Sequence, residues 1–224
     1  MLESFPLVGA IILIINILSS IVGFRDRRFF ESYSFEINKI RKGEYYRLLT
    51  SGFLHVNTPH LIFNMVTLYF FVSFVTYSLG ALSFLILYFA SLIIGNLLTL
   101  VIHFNQPNYS AVGASGAVTG ILFSSLLLFP SIELMIFFIP IPIPGYIFGI
   151  GYILYTIYGI GAQNDNIGHS AHFGGAVGGV ILTLFYDFEV IYNSKLMLSI
   201  LCATILIAGF LLYIKRKSVS YTHL

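Results

Sequence analysis

Charge is what this sequence has least of: charged residues fill 9% of its 224 positions against 58% hydrophobic, and the mean hydropathy is +0.92. So little polar surface cannot cover a soluble globule of this size, which excludes that class. The net charge is only +2, and the basic residues flank apolar runs instead of forming a stripe with interleaved aromatics. A nucleic-acid groove is therefore excluded. The single cysteine, Cys202, lies in the last apolar run; this rules out an internal disulfide and is expected to be an apolar lipid- or helix-facing position. No Asp or Glu occurs in any apolar run, and no internal repeat or low-complexity tract is visible. The chain is read as a single domain, 1–224.

What is present is a series of runs long enough to cross a bilayer, each near the roughly 20 residues a span needs. They cover Leu7 to Phe24, His60 to Thr76, Leu79 to Phe104, Gly113 to Phe129, Gly145 to Ala162, His169 to Phe185 and Leu196 to Ile214. The expectation is an all-α polytopic membrane protein with seven helices. The first run has no basic residue before it and no small-x-small cleavage site after it, so it is expected to be retained. Between the first two runs, Arg25 to Thr58 is polar but rich in aromatics such as Phe29, Phe30, Tyr45 and Tyr46, which suits the membrane interface better than disorder. Thr58 is expected to cap the second helix with Pro59 as its first residue. Pro140, Pro142 and Pro144 end the fourth and make Phe129 to Gly145 a tight interfacial connection. Alternation of the runs puts Arg25 to Arg47 and Lys215, Arg216 and Lys217 on one side and Lys195 on the other. Charge alone makes the first side cytoplasmic.

Polar groups inside spans are costly and mark functional candidates: His60, Asn64, Asn96, Ser115, Thr119, His169 and His172. His60 and Asn64, four residues apart, share one helix face and aim donors at one region; packing between helices is the alternative. Ser115, inside Gly113-Ala114-Ser115-Gly116, starts its helix where main-chain N–H groups are unspent, a place that can hold an oxyanion. Gly116 and Gly120 also read as small residues for close packing. Ala117 departs from the Gly-x-Ser-x-Gly elbow. His169 and His172 lie on the first turn of a helix with Ala171, Gly175 and Gly179 in one row, built for close contact. If the glycine-rich fourth span is its partner, His172 can take the Ser115 proton. A zinc site from His55, His60, His169 and His172 is the competing chemistry, but it lacks a carboxylate base.

The ordered set "HLIFN" (His60 to Asn64), "GASG" (Gly113 to Gly116) and "AHFGGAVGG" (Ala171 to Gly179), with "YRLLTSGFLH" (Tyr46 to His55) ahead of it, resembles the rhomboid family of intramembrane serine proteases. The resemblance implies a six-helix bundle, residues 7–187, plus one additional C-terminal transmembrane helix, residues 196–214. It implies Ser115 as nucleophile and His172 as general base of a dyad without a carboxylate. His60, Asn64 and the Ser115 N–H would stabilise the oxyanion. No cofactor or metal is implied. The partners are the lipid bilayer and transmembrane protein substrates, which enter sideways near the glycine-rich fifth span. The location is a cell membrane, as in bacteria, with the site opening to the extracytoplasmic side against the charge count. The runner-up is a proteolytically silent relative that binds membrane clients. A small transporter would want discontinuous helices or a midplane charge, and neither is evident. Thr119 stands where many relatives carry an aromatic that packs on the histidine, and Tyr46-Arg47 where many have Trp-Arg.

Overall fold

The computed structural model describes residues 5–136, 139–162 and 167–221. Its first helix, α1 (Leu7–Arg25), buries Gly9, Ile12, Asn16, Ser20 and Gly23, a spacing of three and four that faces one stripe inward and leaves the other sides for lipid. Asn16 is affordable there because its amide donates to the Ile12 carbonyl at 2.9 Å and to the Tyr88 hydroxyl at 3.1 Å.

The polar segment that follows is folded. Asp26 caps α2 (Arg27–Tyr33) by accepting from the Arg28 and Phe29 N–H groups. The two-residue strand β1 (Phe35–Glu36), α3 (Ile37–Arg41), α4 (Arg47–Thr50) and a 3₁₀ turn (Ser51–Phe53) complete the segment. Phe35, Ile37 and Ile40 form a small core of their own. Arg47, 2% exposed, ties the segment together: Nε pairs with Glu44 at 2.7 Å, and Nη1 donates to the carbonyls of Glu31 at 2.8 Å and Ser34 at 2.6 Å. A planar guanidinium presents its donors in a fixed, spread fork that reaches acceptors on different sides, whereas a lysine donates from a single nitrogen.

Helix α5 (Thr58–Ile102) begins one residue earlier than the capping pattern suggests. Asn57, not Thr58, is the cap, because its side chain accepts the His60 N–H at 2.9 Å. The runs read as two spans, His60 to Thr76 and Leu79 to Phe104, are two arms of this element, broken at Gly80, whose φ of 83° is open mainly to glycine. After the strand β2 (Ser110–Ala111), antiparallel to β1, come α6 (Ser115–Leu128), α7 (Gly145–Ala162), α8 (His169–Tyr186), the short α9 (Val190–Asn193) and α10 (Lys195–Tyr221).

The connection from α6 to α7 contains an antiparallel hairpin of β3 (Glu133–Ile136) and β4 (Ile139–Pro144); its Phe137 and Phe138 lie outside the described residues. Strand residues two apart present their N–H to the same edge, so the alternating Pro140, Pro142 and Pro144 put every missing donor on one edge and leave the isoleucine donors for pairing. Helix propensity and the prolines exclude a helix here, but not a strand.

The centre of the bundle is α5, α6 and α8. A methyl group on Gly175 or Gly179 of α8 would collide with the carbonyls of Gly116 or Gly120 of α6, and one on Gly174 would come within 2.7 Å of the Gly95 α-carbon of α5. The helices thus meet backbone to backbone, which packing in lipid favours because lipid tails supply no hydrophobic drive. The fold is an all-α polytopic membrane architecture with two short sheets at its ends.

Candidate active site

Helix α6 has 14 residues and so rises about 21 Å, short of a hydrocarbon core of about 30 Å. Irregular backbone precedes its N-terminal residue, Ser115, and would have to share in crossing the rest of that thickness. Such backbone is tolerated only where protein satisfies it. Here the 51–55 segment does so: the Gly113 N–H donates to the Ser51 carbonyl at 3.0 Å, and the Ala114 N–H makes a long 3.5 Å bond to His55 Nε2. Gly113 has φ 137°, and a Cβ there would lie 2.8 Å from His60 Cε1 and 3.0 Å from His60 Nε2. Conformation and space both require glycine.

His55 is a residue that sequence reasoning weighed only as a metal ligand. It is fully buried. Because Nε2 accepts from Ala114, the proton sits on Nδ1 and is donated to the Ser20 hydroxyl at 2.8 Å, which donates in turn to the Phe53 carbonyl at 3.1 Å. Burial, with His60 adding a smaller effect, holds the His55 imidazole down at about 3, so it is neutral in ordinary conditions. Both ring nitrogens are spent on structure. Its partner Ser20 lies 35 positions away, which is why no local pattern signals the role.

His60 and Asn64 fall one turn apart at the start of α5. The His60 ring meets His55 edge to face at 4.9 Å, and Nε2 is the nitrogen turned to Gly113, since Nδ1 is buried without a hydrogen-bond partner among the described residues. Asn64 is 3% exposed and spends one N–H on the His60 carbonyl at 3.0 Å; its amide has a second to give. A Cβ on Gly113 would also lie 3.7 Å from the Ser115 hydroxyl oxygen, so the His60 imidazole and Ser115 border the same small space.

Ser115 and His172 flank the contact at which α6 meets α8: a Cβ on Gly116 would be 3.2 Å from the Ala171 carbonyl oxygen. His172 stacks on the ring of Tyr152 from α7, centroids 5.9 Å apart at 24°, and meets His169 at 6.0 Å and 69°. The Thr119 hydroxyl, one turn after Ser115, shares a 2.7 Å hydrogen bond with the Tyr152 hydroxyl. The four histidines weighed as a zinc set thus separate into two pairs. Behind His169 and Ser170 lies a cavity of about 210 Å³ whose wall includes His103 stacked on Tyr109, 3.8 Å between centroids. Thr99 and Ser170 bond across the same wall at 2.9 Å. The sequence signal for this wall was a histidine and a tyrosine just past the end of a span, and their stacking needs the loop of residues 103–109 to turn back.

The chemistry available is that of a serine hydroxyl and an imidazole at adjoining helix starts, donors on a third helix, and no carboxylate among them. The sequence profile for the family described as "Rhomboid domain" matches residues 42–189, which include Ser115, His172, His60 and Asn64. The chain is 30% identical over 168 residues to RHOMBOID-like protein 12, mitochondrial, of Arabidopsis thaliana, covering 68% of this chain and 50% of that protein. It is 32% identical over 181 residues to rhomboid protease GluP of Bacillus subtilis, 80% of this chain and 33% of that protein. Over 141 residues it is 29% identical to Rhomboid protein 1, mitochondrial, of Saccharomyces cerevisiae, 60% of this chain and 40% of that protein. The chain therefore matches a third to a half of the length of these relatives. They are divided between a bacterium and mitochondria, so the expected bacterial membrane widens to an integral, multi-pass membrane setting.

Proposed function

This chain belongs to the rhomboid family, and on that premise we propose that it is an intramembrane serine endopeptidase cutting membrane proteins in or near their transmembrane segments. Ser115 attacks the scissile carbonyl carbon as His172 takes its proton. The oxyanion that forms is held by the Ser115 N–H, His60 Nε2–H and the second N–H of Asn64. Collapse expels the amine, which leaves with the proton from His172, and an acyl-enzyme remains. Water then attacks the ester; His172 takes the water proton and returns it to Ser115. The bundle carrying this site is read as six helices with the arms of α5 counted separately, and α10 as an addition to them.

One observation carries the reading: a Cβ on Gly113 would lie 3.0 Å from His60 Nε2 and 3.7 Å from the Ser115 hydroxyl, and one on Gly116 would lie 3.2 Å from the carbonyl oxygen of Ala171, next to His172. The His60 imidazole is thereby close enough to the nucleophile to serve an oxyanion formed beside it. A fluorophosphonate probe is expected to label the protein in membranes and to leave Ser115→Ala and His172→Ala unlabelled. Equal labelling of wild type and Ser115→Ala would sink the proposal, and absence of labelling in both would favour a silent client-binding relative.

A further inference from the structure

We propose that Tyr152 of α7, tethered through its hydroxyl to Thr119 of α6, is the positioning residue that holds the His172 imidazole toward Ser115. The inference rests on the protease reading given above.

Imidazole on an α-helix has two free torsions, and a base must keep one nitrogen within hydrogen-bond reach of the hydroxyl it serves. In this molecule a tyrosine ring packs against His172, offset-stacked at 5.9 Å and 24°. Aromatic stacking of this kind fixes a ring plane more tightly than aliphatic packing does. Tyr152 is itself held on three sides: Phe148 stacks beside it at 5.9 Å, Phe123 of α6 tilts against it at 5.8 Å, and its hydroxyl meets the Thr119 hydroxyl at 2.7 Å. Thr119 is 2% exposed, so the pair is shielded from water, and each hydroxyl would lack this partner if the other were removed.

The arrangement gives Thr119 a reason to be polar. It lies one turn beyond Ser115 on the same helix, so the hydrogen bond ties the ring that orients the base to the helix that carries the nucleophile. The distance between the two reacting groups is then set by α6 and α8 through a ring contributed by α7. A shift of α7 away from α6 would break the hydroxyl pair and release His172 together, coupling the position of a peripheral helix to the alignment of the base.

Saturation kinetics of fluorophosphonate labelling in detergent-solubilised full chain test this, since a residue acting through the base changes the maximal rate and leaves the half-saturating concentration alone. Tyr152→Leu is expected to lower the maximal rate roughly tenfold. Tyr152→Phe, which keeps the ring and stack, should recover part of that loss, remaining about threefold below wild type. Thr119→Val should match Tyr152→Phe, and the double variant should be no slower than either alone, because all three remove one hydrogen bond. Multiplying effects of Thr119→Val and Tyr152→Phe, a maximal rate for Tyr152→Leu within about twofold of wild type, or a change confined to the half-saturating concentration overturns the proposal. If Tyr152→Leu loses its folded structure, the Thr119→Val and Tyr152→Phe cycle decides alone. Labelling that survives Ser115→Ala would instead overturn the protease reading, so the two failures are told apart.

Discussion

Helices α6 and α7 hold opposite ends of one hydroxyl pair, yet they are built in opposite ways. Every residue of α6 from Gly116 to Leu127 is buried, whereas only 33% of α7 is, and its Leu154 and Tyr158 are 52% and 65% exposed. The serine's helix is surrounded by protein and cannot move without unpacking α5 and α8. The helix that supplies the ring against the histidine is packed on one side only, at the edge of the bundle. Precision is thus concentrated at the backbone contacts of α6 and α8, and freedom at the edge of the bundle.

The same substitution should break one region and spare the other. In Gly175→Ala the new methyl meets the Gly116 backbone, whose carbonyl carbon and α-carbon would be 2.8 and 3.0 Å away; neither can yield without moving a helix. Overpacking of this kind is expected to cost about 3 kcal/mol or more, read as a fall in the thermal midpoint in detergent with loss of probe labelling. Gly151→Ala on α7, where a Cβ meets nothing within 4 Å, should leave stability unchanged or raise it by up to about 1 kcal/mol, because helix propensity is all that changes. Equal effects at the two glycines would erase the contrast.

The next effect is at the loop ahead of Ser115. His55→Leu removes the acceptor for the Ala114 N–H and the donor to Ser20 and is expected to cost about 2 kcal/mol, with slower labelling because the backbone leading into Ser115 loses an anchor. It also has a pH signature. The folded state holds His55 at about 3 against an ordinary value of 6.5, so the unfolded chain binds the proton more readily. Stability from this source is complete above about 6.5 and declines as pH falls toward about 3. The thermal midpoint of His55→Leu should fall less steeply than that of wild type over this window; parallel slopes would show that His55 is not the group responsible.

Particular residues show how far the sequence could be read. Ser115 at a helix start, His60 and Asn64 one turn apart and the Ala171, Gly175, Gly179 row needed only helical periodicity, and each lies where that period places it. The facing of the row against Gly116 and Gly120 needed a partner helix, which the sequence leaves conditional. Roles that join distant positions were invisible: Arg47 reaches carbonyls 16 and 13 residues back, and Tyr152 meets a threonine 33 residues away. The polar Thr119, anomalous within its own helix, becomes intelligible only once α7 is laid beside it. Asn57 displaced Thr58 as cap because both have capping side chains and only geometry chooses between neighbours.

The smallest perturbation tests which way this end of the molecule faces. The segment of residues 26–57 and the site share one end, since Ser51 binds Gly113 and β1 pairs with β2. Charge counting places that end in the cytoplasm, while the family resemblance places it outside. Counting treats each basic residue of a short loop as solvated and independent, but here Arg27, Lys39 and Arg47 pair with Glu31, Glu36 and Glu44 within a folded unit that would cross or stay as a whole. Lys42, exposed at the end of α3, can be replaced by cysteine in a Cys202→Ser background with a stability change of about 0.5 kcal/mol or less. An impermeant maleimide added to sealed cells or vesicles is expected to label it from the extracytoplasmic face. Labelling only after the cytoplasmic face is opened would reverse the orientation and require substrates to be cut from the opposite side.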